Sequence, residues 1–283
     1  MTVDLGGCLA KVQLAHAELQ AFQTDHLMVC KTDPVRLRTE PERAPYRYLF
    51  TAEHVPRLPH RLGVRLGNVV HGLRSALDHL AWQVALFDGR GTRPGPATRF
   101  PIEESPEAFH SDWTPIADLA PEHRALVEAD QPFRRTDPQG DDPLAALERL
   151  SLRERTEVPM PLVSSNLMVT PQLVLRDPDL EVTDLEWMSR PGRLLVGATL
   201  CRFTVSRPMA DGAALGVRGI VVPGTTLDGT TDAVGQVTAI GARVVQVLEE
   251  WESRLTPGRT SDWPVFDATR SVFPAGAIPF MAS

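Results

Sequence analysis

The chain has 283 residues, 42% apolar and 23% charged, with 25 prolines and 20 glycines, which excludes a fibrous, collagen-like or low-complexity protein. Its formal net charge of −7 argues against sequence-independent binding to a phosphate backbone, because that needs clustered cations in excess. Neither a spanning apolar run nor a basic-then-apolar leader is visible, so the expectation is a cytoplasmic protein with no membrane partner.

In chain order, Leu5, Cys8, Val12, Ala15, Leu19, Phe22 and Met28 recur at helical spacing and predict a helix over residues 5–29, stopped by Thr32-Asp33-Pro34. Extended runs on either side of Glu40-Pro-Glu-Arg-Ala-Pro45 predict a β-hairpin near 35–51. The clearest signal is Leu66, Val70, Leu73, Leu77, Leu80 and Val84, whose 3-4-3-4 spacing predicts a helix over 60–87 that ends at Asp88-Gly89. Short helices are expected around 106–110, 121–129 and 142–156.

After Pro161 the texture turns β-branched, and runs at 162–170, 172–176, 180–188, 193–206 and 213–222 predict four to five antiparallel strands. Alternation places Leu195, Cys201, Phe203 and Val205 on one face, with Leu215, Val217 and Val221 as neighbours. A last helix over 231–255, with Val237, Ile240, Val244, Leu248, Trp251 and Leu255 in register, supplies the cover such a face needs. Residues 257–283 read as an extended tail whose Trp263, Phe266, Phe273 and Phe280 dock into grooves.

The fold class is therefore α+β: a helical N-terminal half with two long packed helices, then an antiparallel β-sheet of four to five strands covered by a C-terminal helix. Residues 1–160 form the helical region with its hairpin, 161–256 the sheet plus last helix, packed with the first region as one unit, and 257–283 the tail.

Helix two carries the one dense polar constellation. At 100° per residue His71, Arg74, Asp78 and Trp82 fall within about 80° of one another, beside the apolar stripe. Held at a core edge, Arg74 can polarise an anionic or carbonyl group, Asp78 can orient it or act as base, and His71 can shuttle a proton, so these three are the catalytic candidates. An i,i+4 Arg74–Asp78 pair beside a boundary histidine explains the same residues without chemistry. On helix one His16, Gln23 and His26 fall in the apolar arc, where polar side chains need partners. If the two helices pack, His16, Gln23, His79 and Trp82 become substrate-binding candidates around a pocket between them.

The segment from Leu66 to Trp82, with Phe100-Pro-Ile102 and Gln131-Pro-Phe133 downstream, resembles a group of uncharacterised bacterial proteins of actinobacterial type. These share a Leu-His-Asn-Leu-Arg-Ser-Ala-Leu-Asp-His-Leu helix, then Phe-Pro-Ile, then Gln-Pro-Tyr. The likeness spans about residues 60–160 and implies no established activity. Asn68 stands where the group tends to have Asp, and Leu152-Arg-Glu-Arg-Thr156 where it has Asp-Lys-His-Arg. Arg74 and His79 also reproduce the Arg-x4-His string of HEPN ribonucleases, which implies action on RNA at a homodimer interface. On an unbroken helix these two side chains point about 140° apart.

Other chemistries are thinly represented. Cys8, Cys30 and Cys201 form no Cys-x-x-Cys pair, and Lys11 and Lys31 are the only lysines among 29 cationic side chains, a bias of high-GC, actinobacterial-type genomes. Glu107-x-x-His110 and His110-Ser-Asp112 lack the further ligands a metal centre requires, and no nucleophile elbow, Walker loop or dinucleotide fingerprint occurs, so no metal and no cofactor are expected. Arg57, Arg61 and Arg65 form a basic row that reads as a solvated face. The leading expectation is a cofactor-independent small-molecule enzyme or binding protein, with specialised metabolism as its setting. The alternatives are a HEPN-like ribonuclease or toxin acting as a dimer, and a structural partner-binding protein that uses its tail as an arm.

Overall fold

The two long apolar periods fold as the two longest helices. The computed structural model describes residues 3–135, 142–156, 160, 162–165, 172–175, 179–187, 193–209, 215–218, 224–226 and 232–267. In order these form α1 (Gly6–Thr32), β1 (Arg36–Pro41), β2 (Arg47–His54), α2 (His60–Asp88), α3 (Pro106–Ser111), α4 (Pro121–Ala129), α5 (Pro143–Thr156), β3 (Val163–Ser165), β4 (Gln172–Leu175), β5 (Val182–Trp187), β6 (Thr199–Val205), β7 (Leu215–Arg218), β8 (Gly224–Thr226) and α6 (Ala233–Leu255). The fold is α+β, with packed N-terminal helices, an antiparallel four-stranded sheet and a C-terminal helix. No helix among the described residues is long and apolar enough to cross a membrane.

The chain divides into two units: residues 1–22, 63–160 and 234–269, and residues 23–62, 161–233 and 270–283. In the first, α1 and α2 run antiparallel, with Gly7 against His79, Ala15 against Gly72, and Glu18 bonded to Arg65 at 2.9 Å. A Cβ on Gly72 would meet the Ala15 methyl at 3.1 Å and the Lys11 carbonyl at 3.4 Å, so the missing side chain sets this close approach. Cys8, Val12 and Phe22 of α1, Leu66, Leu73, Leu77 and Leu80 of α2, and Val237, Ile240, Val244 and Leu248 of α6 are all fully buried. Short α3 starts on Ser105, whose hydroxyl accepts from the Ala108 amide, with Pro106 following it. At α4 the cap residue is Ala120, and Asp88 from the end of α2 accepts its amide instead.

In the same unit the start of the tail is held. Glu252, 4% exposed, accepts from the Ser261 amide and hydroxyl and from Trp263 Nε1 at 3.0 Å. Phe266 occupies the space a side chain on Gly241 would need and meets the His16 ring edge-on at 5.1 Å. Trp263 and Phe266 are thus buried, while the expected docking of Phe273 and Phe280 lies outside the described residues. Burial pushes the Glu252 carboxyl up, but the Ser261 and Trp263 bonds and the Arg259 charge outweigh it and hold the pKa below its ordinary value. A depressed carboxyl contributes stability that is present above the unfolded pKa and lost as pH falls through the folded one. Limited proteolysis should therefore find residues 259–263 protected at neutral pH and cleavable at a pH below the ordinary carboxylate range, and Glu252→Ala should expose them at neutral pH. Equal protection at both pH values would refute the clasp.

The second unit holds the sheet, in the order β1-β2-β6-β5, every pair antiparallel. Phe50, Leu180, Cys201, Phe203 and Val205 pack on one side, with the Phe50 and Phe203 rings 5.0 Å apart, while Val35, Ala52, Leu194 and Leu200 form a second cluster. The predicted Cys201, Phe203 and Val205 face is buried, whereas Leu195 is 53% exposed, in the bend before β6 where Gly197 takes φ +86°.

Three sequence expectations differ from this arrangement. The hairpin belongs to the sheet, because β2 pairs with β6 from Arg47↔Thr204 to Thr51↔Thr199. With β2 on one flank of β6 and β5 on the other, β7 pairs with β4 in a separate ladder, and β3 pairs with β8 in another. Met28, counted in the α1 stripe, is 48% exposed, because Val29 lies within about 20° of Phe22 around the helix axis and Met28 about 120° away.

Candidate functional site on helix α2

Arg74 sits at the centre of the polar stripe with its side chain 6% exposed. Its Nη1 donates to Asp78 Oδ1 at 2.8 Å, Nε to Glu148 Oε2 at 2.9 Å, and Nη2 to the Phe100 carbonyl at 2.8 Å. Asp78 Oδ1 also accepts the Phe100 amide at 3.1 Å. One planar guanidinium thus joins α2, α5 and the 99–103 segment, a use of fixed donor geometry that lysine cannot copy.

Helix α2, Phe100-Pro-Ile102 and Gln131 meet here. Fully buried Gln131 donates to the carbonyls of Pro101 and Val127, each at 2.9 Å, and accepts the Glu103 amide at 2.8 Å. The irregular Phe-Pro-Ile segment therefore has the Phe100 amide and carbonyl met by Asp78 and Arg74, and the Pro101 carbonyl met by Gln131. Buried backbone polarity of an irregular segment has to be met by side chains, which gives a physical reason for these residue types at this spacing.

Asp78 and Glu148 are the two partly open members of the group, each with one oxygen on Arg74. The side chain of Asp78 is 35% exposed and that of Glu148 29%. Among the described residues Oδ2 of Asp78 has no hydrogen bond, while Oδ1 has two. Burial raises its pKa above the ordinary value, with the Glu148 charge adding to the rise, and together they outweigh the opposing Arg74 charge, Phe100 amide and Arg99 charge.

The other sequence candidates are dispersed. His71 is exposed, and Trp82 is half-buried one turn beyond Asp78. His79 is half-buried against Gly7, so it turns away from Arg74 toward α1, as the 140° separation implies. His16 is half-buried on Phe266, and half-buried Gln23 belongs to the other unit. Helix periodicity found Arg74 and Asp78. It did not find Glu148 or the Phe100 backbone, since nothing local marks a carboxylate as the partner of a residue 74 positions away.

Elsewhere, burial pushes the thiols of Cys8, Cys30 and Cys201 up to about 12, which leaves all three poor nucleophiles. Among the described residues no three His, Cys, Asp or Glu side chains are grouped to hold a metal ion. Arg61 and Arg65 of the basic row reach Asp25 and Glu18.

No family model, curated protein or solved structure matches the chain.

Proposed function

We propose that the chain is a cofactor-independent small-molecule enzyme or binding protein whose working group is the Asp78 carboxyl. The carrying observation is its asymmetry: one oxygen is held by Arg74 and the Phe100 amide, the other is unbonded among the described residues, and the side chain remains partly open. A carboxyl with a raised pKa and one free oxygen can give up or accept a proton, or hydrogen-bond a neutral ligand group. Arg74 acts here as a positioning residue, because three of its five N–H donors are spent on the protein. His71 and Trp82, on the same side of α2 by spacing, would supply a proton carrier and an apolar contact. His16, Gln23 and His79 lie outside this version of the site.

The two other readings have less support. A HEPN-like ribonuclease needs Arg74 and His79 to converge on a phosphate, and Arg74 faces Glu148 and Asp78 while His79 faces α1. A partner-binding arm needs free aromatics, and Trp263 and Phe266 are buried within their own unit.

The test is a thermal-shift screen of small carbonyl compounds, amines and carboxylic acids at several pH values, run on the wild-type chain and on Asp78→Asn, which keeps the acceptor oxygen. At least one compound should stabilise wild type with a pH dependence and fail on Asp78→Asn, while Lys31→Ala, remote on α1, keeps the response. If every compound that stabilises wild type stabilises Asp78→Asn equally, or none stabilises wild type, the proposal fails.

A further inference from the structure

A second place on the first unit, separate from Asp78, combines an aromatic platform with a rigid cation that joins no ion pair among the described residues. A depression of about 360 Å³ is lined by Trp113 and by Pro121, Arg124, Ala125 and Glu128 of α4. The four α4 residues recur at i, i+3, i+4 and i+7, so they form one face of that helix. Trp113 is 39% exposed, yet its ring is braced from behind, by Phe109 at 5.5 Å edge-on and His110 at 5.4 Å. An exposed tryptophan held by other rings offers a fixed π-surface at little ordering cost.

Arg124 is equally constrained. Its Nε donates to the Leu119 carbonyl at 2.8 Å and its Nη2 to the Ala117 carbonyl at 2.5 Å. It joins no ion pair among the described residues, and both Nη1 protons and one Nη2 proton stay uncommitted. Glu128, the one carboxylate in the lining, is already neutralised by Arg134 and lies 3.7 Å from His110 Nε2. Within the lining Arg124 and Glu128 balance, but Glu128 is engaged by Arg134 from outside it, so Arg124 is the lining charge with no ion-pair partner among the described residues, beside a flat aromatic face.

We propose that this depression binds a planar aromatic carboxylate, its ring laid on Trp113 and its carboxylate accepting from the free edge of the Arg124 guanidinium. The fork of a pinned arginine matches the two oxygens of a carboxylate, and the ring supplies apolar area that a small aliphatic acid lacks. A cationic aromatic ligand would meet Arg124 instead of a free carboxylate and is disfavoured.

The probe is 2-naphthoate, titrated into the full chain by calorimetry and saturation-transfer NMR, with 2-naphthylmethanol and 2-naphthylmethylamine as neutral and cationic analogues. Naphthoate should bind, and Trp113→Ala and Arg124→Gln should each weaken it about tenfold or more, with both analogues at least as weak. Arg124→Gln also frees two carbonyls, so Trp113→Ala at unchanged melting temperature is the decisive variant. Naphthoate that shows no binding up to about 1 mM, that binds Trp113→Ala as well as wild type, or that binds no better than the alcohol or the amine overturns the proposal.

Discussion

Replacing Arg243 by Ala is expected to cost about 4 kcal/mol, the largest effect of any single change outside the apolar core. Arg243 of α6 and Asp130 after α4 lie 3.1 Å apart with side chains 7% and 9% exposed. Trp251, one of the largest fully buried side chains, donates its Nε1 to the other Asp130 oxygen at 2.9 Å. Burial raises the Asp130 pKa and outweighs the Trp251 bond and the Arg243 charge, so this carboxylate is costly to ionise even when paired. Without Arg243 it keeps only the indole. The sign follows from the raised pKa: the stabilising contribution is present below the unfolded carboxyl pKa and is lost as pH rises through the folded one. Urea unfolding should therefore show the Arg243→Ala deficit growing from acid toward neutral pH. Asp130→Asn with Arg243→Met should recover part of it, because breaking a buried pair is worse than removing both charges. A loss under about 1 kcal/mol, or one independent of pH, would show that Asp130 is solvated without its partner.

Arg74→Leu is the second large effect, expected at about 3 kcal/mol. The substitution leaves Asp78 and Glu148 as uncompensated neighbours and strips the Phe100 carbonyl of its donor. The partial exposure of both carboxylates lets water relieve some of the loss, which ranks it below Arg243. Arg74→Lys should recover less than half, since one ammonium cannot meet three acceptors set by a planar fork. Full rescue by lysine in chemical denaturation would mean that charge alone matters there and that the three-way geometry does not.

These expectations set a condition on the proposed chemistry. Arg74 holds the fold together, so its variants cannot separate catalysis from stability, and Asp78→Asn is the informative change. The same clamp gives these polar residues a structural duty: the irregular segment 99–103, between α2 and the residues after α4, has polar backbone at Phe100 and Pro101 that Arg74, Asp78 and Gln131 satisfy. Residues singled out for reactivity thus carry a structural duty as well, and among the described residues Asp78 keeps one oxygen uncommitted.

The legible parts were those governed by short-range physics. Apolar spacing located α1, α2 and α6, breakers located the hairpin, and β-branched runs located β3 to β7 but not the short β8, since each signal depends on residues within about a dozen positions. Around α2, the arc arithmetic identified the Arg74–Asp78 pair and the divergence of His79 from Arg74 for the same reason.

Tertiary structure alone decided which of these elements meet. Strand pairing is backbone chemistry common to all residues, so nothing in the hairpin announced that β2 would flank β6, or that β7 would pair with β4 instead. The partners of Arg74, Asp130 and Glu252 come from distant segments or from the returning tail, and an acceptor on one helix carries no local mark of the donor that will reach it. Local sequence determined which segments were helix or strand. The burial of a few charges against far-off partners decided which side chains became clamps and left Asp78 partly open.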